Sequence, residues 1–329
     1  MIQVRKWSKK TPIAQPASGG RTLARSAAIG LLMLTPGCSS DTPPSAVPLE
    51  ARTPKVLVIG IDGVRPDVLA DVSTPNLDRL VEQGTFTART RTTTPSVSGP
   101  AWSSMLTGVW PDKHGVLSND FTAPRYDRFP SFLTRVERAR PDLRTFAVVD
   151  WTPLMDLQER DAVLAPPVDV LELLDGYELG WREADARSVT LAEQELQEND
   201  PDALFVYLGD PDETSHQHGS IGVEYRDAIA RADQEVGRLV AAVERRPTHG
   251  LENWLILVST DHGRREDGGH GGESPAEMTT FIIASGPGAA LGTWEAPSAI
   301  VDIAVTALTH LGIPIDPAWA LDGIHFGLR

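Results

Sequence analysis

Six side chains suited to divalent cations lie in three short clusters: Asp62 in VLVIGIDGVRPD, Asp212 and His216 in YLGDPDETSH, and Asp261, His262 and His270 in VSTDHGRREDGGH. Three carboxylates and three imidazoles are enough to hold two divalent cations side by side, an arrangement that hydrolyses phosphate or sulfate esters. Asp212 and His216 stand four residues apart, one helical turn, so both can reach one cation from the same face. Asp261 and His262 are adjacent and need an irregular turn to converge, which Gly263 permits. His270 is flanked by Gly268-Gly269 and Gly271-Gly272, which let the backbone come close to an ion. Asp62-Gly63 is also an ordinary turn signal, and the glycines around His270 also suit a plain loop. His218 is close in sequence, but its side chain points away from the face shared by Asp212 and His216.

Each cluster follows an apolar run of strand length. Lys55–Gly60, Thr145–Asp150, Ala203–Gly209, Trp254–Thr260 and Thr280–Ser285 are unalternated runs, as in a parallel sheet covered on both faces. Helical patterns separate them at Pro75–Gln83, Gly99–Thr107, Phe129–Arg138, Arg182–Gln197, Glu224–Arg245 and Ala299–His310. The alternation predicts a doubly wound α/β fold, a mostly parallel sheet with helices on both faces. In such sheets ligands bind beyond the carboxyl ends of the strands, where all three clusters stand. A hydroxyl-rich segment, Arg91 to Gly108, offers Thr94, Ser96 and Ser98 as nucleophiles. A helix starting at Gly99 puts Ser98 at its N-terminus, where the dipole favours an alkoxide, although a serine there also serves as a cap.

IDGVRPD, LTGVWPDKHG with a hydroxyl residue upstream, PDETSH, DHG and GGHGG, in this order, resemble the alkaline phosphatase superfamily. The likeness is greatest to its type I phosphodiesterase/nucleotide pyrophosphatase branch and runs from about Lys55 to Gly323. The resemblance implies a hydrolase of phosphate diesters, nucleotide-type or related, working through a covalent phospho-serine intermediate. It implies Asp62, Asp261, His262 and the nucleophile on one cation, and Asp212, His216 and His270 on the other. The nucleophile expected nine residues before the Thr of Leu-Thr-Gly is Ser98, since that Thr is Thr107. Asn119 resembles the asparagine that donates to a non-bridging phosphate oxygen, with a turn residue as the plain alternative. His114 falls on a position of structural support. Mixed nitrogen and oxygen ligands fit zinc best, with manganese and iron as the alternatives.

Two departures bear on the substrate. Trp102 stands where the formylglycine sulfatases carry the Arg of their C/S-x-P-x-R element, which argues against that branch. The stretch from His262 to His270 is shorter than in nucleotide pyrophosphatases, so a nucleotide is a less secure expectation than a diester. Phosphomonoesterase and sulfatase activity are the alternatives within the superfamily. An Arg on the extra phosphate oxygens would favour a monoester, with Arg65, Arg89, Arg91 and Arg264 as the candidates. The alternative outside catalysis is a lipid-anchored binding protein that keeps the fold.

The composition, 41% hydrophobic and 23% charged, is that of a globular chain. Residues 1–37 carry six basic and no acidic residues, then a short apolar stretch from Ala27 to Leu34, as a signal peptide does. Cys38, the only cysteine, follows at once and resembles the lipid-modified cysteine of bacterial lipoproteins. Residues 38–53 are rich in Ser, Pro and Thr and read as a flexible tether; 54–329 read as a single catalytic domain. Without residues 1–37 the chain keeps 24 basic against 45 acidic residues, a net charge of −21 that repels nucleic-acid polymers. A small phosphate ester is the expected partner, drawn in by the cations themselves.

Overall fold

A computed structural model describes residues 47–156 and 161–329; the expected signal peptide and Cys38 lie outside them. Among these residues one nine-stranded sheet is flanked by helices on both faces, the predicted α/β fold. The strands are β1 (Thr53–Ile61), β2 (Gly84–Arg91), β3 (Thr145–Val149), β4 (Val170–Leu173), β5 (Ala203–Leu208), β6 (Glu252–Ser259), β7 (Thr279–Ser285), β8 (Gly292–Thr293) and β9 (Ser298–Ala299). Their order is β4-β3-β5-β1-β6-β7-β2-β8, with β9 also on β2. No helix among the described residues is long and apolar enough to cross a membrane.

β1 is the central element, and its side chains show why the run is unalternated. Val56 and Val58 enter a core with Trp102, Met105, Leu106, Leu133 and Leu308 on one face of the sheet. Leu57, Ile59 and Ile61 enter a second core with Leu80, Leu196, Tyr225, Val236 and Leu239 on the other. Each such side chain contributes roughly 1.5–3 kcal/mol by leaving water. β5 and β6 pair with β1 in parallel, Ile61 opposite Leu208 and Gly60 opposite Ser259. The carboxyl ends of β5, β1 and β6 therefore lie side by side. That register brings Asp212, Asp62 and Asp261 to one edge of the molecule.

The differences from the sequence reading have local causes. β7 runs antiparallel to both β6 and β2. β2 reads GTFTARTR and β4 reads VLEL; neither is an apolar run, because β4 is half-exposed at the sheet edge and β2 relies on threonines. The helix expected from Phe129 begins at Phe132, because the Ser131 hydroxyl accepts from Thr134 N–H and caps it. The helix expected from Ala299 begins at Asp302, because Ser298–Ala299 forms β9. Leu49–Ala51, at the end of the stretch read as a tether, forms a 3-10 turn.

Candidate active site

Asp62 follows β1 and is 1% exposed. Its Oδ2 accepts from Trp102 Nε1 at 2.9 Å and from the Tyr207 hydroxyl at 2.6 Å. The Trp102 ring lies against β1 only because residue 60 is glycine: a Cβ there would sit 2.4 Å from the ring. Asp62 Oδ1 is buried and has no hydrogen-bond partner among the described residues, and the same is true of Asp261 Oδ2. Asp261 Oδ1 accepts from Gly63 N–H at 3.1 Å. Orphaned carboxylate oxygens are costly inside a protein unless a ligand completes them. Two of them facing one ring nitrogen, His262 Nε2 at 3.6 Å and 3.3 Å, fit a cation.

The imidazoles are oriented for the same purpose. His262 Nδ1 lies 3.1 Å from Gly263 carbonyl oxygen and His270 Nδ1 lies 2.9 Å from that of Ser96. A carbonyl only accepts, so both Nδ1 atoms carry the proton and both Nε2 atoms present a bare lone pair. The two rings stack with centroids 4.0 Å apart. His270 Nε2 meets His216 Nε2 at 3.2 Å, and His216 Nε2 lies 3.2 Å from Asp212 Oδ2. Two groups of ligand atoms result, Asp212, His216 and His270 in one and Asp62, Asp212 and His262 in the other. Asp212 stands between them.

Electrostatics match this crowding. Burial, then the Asp261 and Asp212 charges, push the Asp62 carboxyl well above its ordinary range. Burial, with Asp212 next, raises Asp261 to about 7. Burial pushes Asp212 upward, but the Arg264 guanidinium together with His216, His262 and His270 outweighs it and holds that carboxyl far below its ordinary value. Burial and the neighbouring His270 keep the His262 ring neutral.

The three candidate hydroxyls separate cleanly. Thr94 is exposed, with its hydroxyl facing Met278 Sδ at 3.9 Å. Ser96 Oγ donates to Gly272 carbonyl at 2.8 Å and accepts from Gly271 N–H at 3.1 Å, so it braces the glycine loop. Ser98 Oγ is 3.2 Å from His262 Nε2. Val97, not Ser98, is the residue before the Ser98–Thr107 helix, and Ser98 is its first residue, so the capping alternative does not apply. Asn119 Oδ1 accepts from Gly99 N–H at 2.7 Å, which uses one of the free donors expected for a phosphate oxygen. His114 is fully buried between Ser104 Oγ and Val116 N–H, a structural position. His218 is exposed.

A cavity of about 100 Å³ is lined by Asp62, Ser98, Asn119, Asp212, His216 and His270, with Trp151, Tyr177, Trp181 and Tyr207 as its aromatic walls. Among the described residues neither lysine nor arginine lines it. Arg65 is engaged by Asp67 and Ser220, Arg89 by Glu295, and Arg91 lies over the Trp110 ring. Arg264 is fully buried beneath Asp212 and His216.

A pair of carboxyls supports the turn that leads into Asp212. Asp185 accepts from Gly209 N–H at 2.7 Å and from Asp210 N–H at 3.2 Å, fixing the start of the Asp210–His218 helix. Burial raises both Asp185 and its neighbour Asp150, the latter to about 7. The folded chain thus holds a proton there that the unfolded chain releases. Stability from this pair is full below pH 3.8 and is lost as pH rises toward 7. Asp150→Asn is expected to flatten a fall on the order of a few kcal/mol in unfolding free energy across that window. An equal fall in the variant, by denaturant titration, would contradict the assignment.

The pattern of the family described as type I phosphodiesterase / nucleotide pyrophosphatase matches residues 56–267. The match contains Asp62, Ser98, Asn119, Asp212, His216, Asp261 and His262, and ends just before His270. Ectonucleotide pyrophosphatase/phosphodiesterase family member 7 of Rattus norvegicus is 24% identical over 250 residues, 70% of this chain and 54% of that protein. Family member 1 of Homo sapiens is 26% identical over 240 residues, 70% of this chain and 25% of that protein. The chain spans about half the length of the first of these relatives and a quarter of the second. In structure it is similar to murine ectonucleotide pyrophosphatase / phosphodiesterase 5, with a TM-score of 0.61 at 16% identity over 83% of this chain and 97% of that one. The phosphonate monoester hydrolase of Agrobacterium radiobacter gives a TM-score of 0.64 at 18% identity over 83% and 76%. A 2-O GAG sulfatase gives 0.64 at 12% over 83% and 73%, so the fold is shared across alkaline-phosphatase-like proteins of different chemistry. On the extent of the pattern match, this chain belongs to the type I phosphodiesterase/nucleotide pyrophosphatase family.

Proposed function

We propose that this chain is a metal-dependent hydrolase of small phosphate diesters with Ser98 as its nucleophile. The observation that carries the reading is the meeting of Asp62 Oδ1, Asp261 Oδ2 and His262 Nε2 beside Ser98 Oγ, two of them orphaned oxygens. Asp62, Asp261, His262 and Ser98 would hold one cation and Asp212, His216 and His270 the other, with zinc suited to this mixed set. Bound divalent cations supply the lowering of a hydroxyl's pKa and the neutralisation of phosphate oxygens. Ser98 Oγ attacks phosphorus in line, the bond to the leaving alcohol breaks, and the ester formed on Ser98 is then hydrolysed by water. Asn119, whose carbonyl oxygen is held by Gly99, has its NH2 left to donate to a non-bridging oxygen.

The diester reading is favoured over the monoester because, among the described residues, no lysine or arginine lines the cavity for an additional phosphate charge, while its aromatic walls suit a second ester substituent. Murine ectonucleotide pyrophosphatase / phosphodiesterase 5 has been solved in an inactive form in complex with AMP. Comparing bis-p-nitrophenyl phosphate, p-nitrophenyl phosphate and p-nitrophenyl sulfate on zinc-loaded protein tests the class. Preference for the diester is expected. A monoester or sulfate preference would overturn the substrate, and inactivity on all of them would favour a binding protein. Export through residues 1–37, with an anchor at Cys38, belongs to this reading and places the substrate outside the cytoplasm. Residues 54–329 are then the catalytic domain.

Trp102 and Tyr207 share the load of orienting Asp62. Trp102→Phe keeps the apolar contacts and removes one donor, and is expected to weaken cation affinity about 10–100-fold. Calorimetric titration of metal-free protein checks this; an unchanged affinity would show that Tyr207 suffices alone.

A further inference from the structure

Arg264 follows the DHG cluster and is fully buried. Its Nε and Nη2 donate to Gly268 carbonyl oxygen at 2.9 Å and 2.5 Å, and its Nη1 donates to Asp212 carbonyl oxygen at 3.0 Å. These backbone anchors fix the guanidinium whatever its other contacts. Nη1 also donates to Asp212 Oδ1, the single carboxylate that pairs with Arg264 among the described residues. Nη2 lies 2.9 Å from His216 Nε2. Space for the pair is built in at Gly63, where φ is +64° and a Cβ would come within 2.6 Å of Nη1.

The conflict is one of lone pairs and charge. A guanidinium offers N–H donors and no acceptor, so at His216 Arg264 is the donor and the Nε2 lone pair is the acceptor. That lone pair is the one a cation held by Asp212, His216 and His270 would need. Asp62, Asp261 and His262 themselves, among the described residues, form no hydrogen bond or ion pair with a guanidinium and leave unsatisfied oxygens instead; Arg264 touches their neighbourhood only through Asp212, which borders both groups. We infer that Arg264 is an internal competitor for the Asp212–His216–His270 cation, making that the weak site and the Asp62–Asp261–His262 site the tight one. The inference rests on the two-cation reading above. Its consequence is an enzyme that keeps one cation and fills the second place only when cation is abundant.

Calorimetric titration of the metal-free full chain with Zn²⁺ tests this without any turnover. Two unequal steps are expected, and Arg264→Met is expected to strengthen the weak step by at least about tenfold while moving the tight step little. His216→Ala should delete the weak step and spare the tight one. Equal steps in the unaltered chain, or a weak step indifferent to Arg264→Met, would overturn the inference while leaving the two-cation reading intact. Should Arg264→Met fail to fold, Arg264→Lys, which keeps the charge but loses the fork, is expected to strengthen the weak step by a smaller factor, and no change would count against the inference. Absence of any binding would overturn both.

Discussion

Ser98→Ala is expected to lower kcat for diester hydrolysis by at least about 10³-fold while leaving the fold intact. Removing a nucleophile costs on the order of 10⁶ in serine hydrolases, and what survives comes from binding and charge stabilisation alone. Here the hydroxyl that disappears is the one beside His262 Nε2, at the start of a helix whose first turn is already fixed by Asn119. Ser98 is 6% exposed and, among the described residues, its hydroxyl's only hydrogen-bond partner is His262, so trimming it to methyl disturbs little. Circular dichroism should be unchanged, and KM should move less than kcat. Activity that persists within about tenfold would remove Ser98 as nucleophile and implicate a directly attacking water. Thr94 and Ser96 could not then step in, because one faces solvent and the other braces the glycine loop.

Asp261→Asn is expected to act in opposite directions on activity and on the stability of the metal-free protein. In the chain as it stands, Asp261 Oδ1 already accepts from Gly63, and Oδ2 has nothing to bond although His262 Nε2 lies 3.3 Å away. An amide keeps the acceptor, turns the orphan into a donor aimed at that lone pair, and removes one of the crowded buried charges. The metal-free variant should unfold at higher denaturant than the metal-free parent, by about 1–3 kcal/mol. Hydrolysis should nevertheless fall steeply, because a neutral amide is a poor cation ligand. Zinc should raise the melting temperature of the parent: at about 1,000 times Kd linkage gives about 4 kcal/mol, or roughly 8 °C at about 2 °C per kcal/mol. The variant should show a much smaller rise. A variant destabilised without metal, or an equal zinc response in both, would contradict the assignment of Asp261 as a ligand.

The fold was legible where a strand was apolar throughout and opaque where it was not. Lys55–Gly60, Ala203–Gly209 and Trp254–Thr260 announce themselves because both faces of the central sheet are covered. β2 and β4 do not, since threonines and an exposed edge replace the apolar signal. The site was legible for the same reason: a charged residue directly after a buried strand has few ordinary reasons to be there. What escaped is the layer beneath. Tyr207 sits within the apolar run of β5 and Trp102 within the hydroxyl-rich segment, and neither position signals a partner; only the register of β1 with β5 and the absence of a side chain at Gly60 bring their polar tips to Asp62. Arg264 is one of four arginines that the sequence offers for a phosphate oxygen without placing any of them, and the turn at Gly268 folds it inward beneath Asp212.

Retention or inversion at phosphorus tests the central claim most directly. A diester made chiral at phosphorus by one sulfur substitution is hydrolysed in ¹⁸O water and the configuration of the product determined. Attack by Ser98 followed by attack of water is two in-line displacements, so the account predicts net retention. Net inversion would mean that water reaches phosphorus directly and that Ser98 is not the nucleophile.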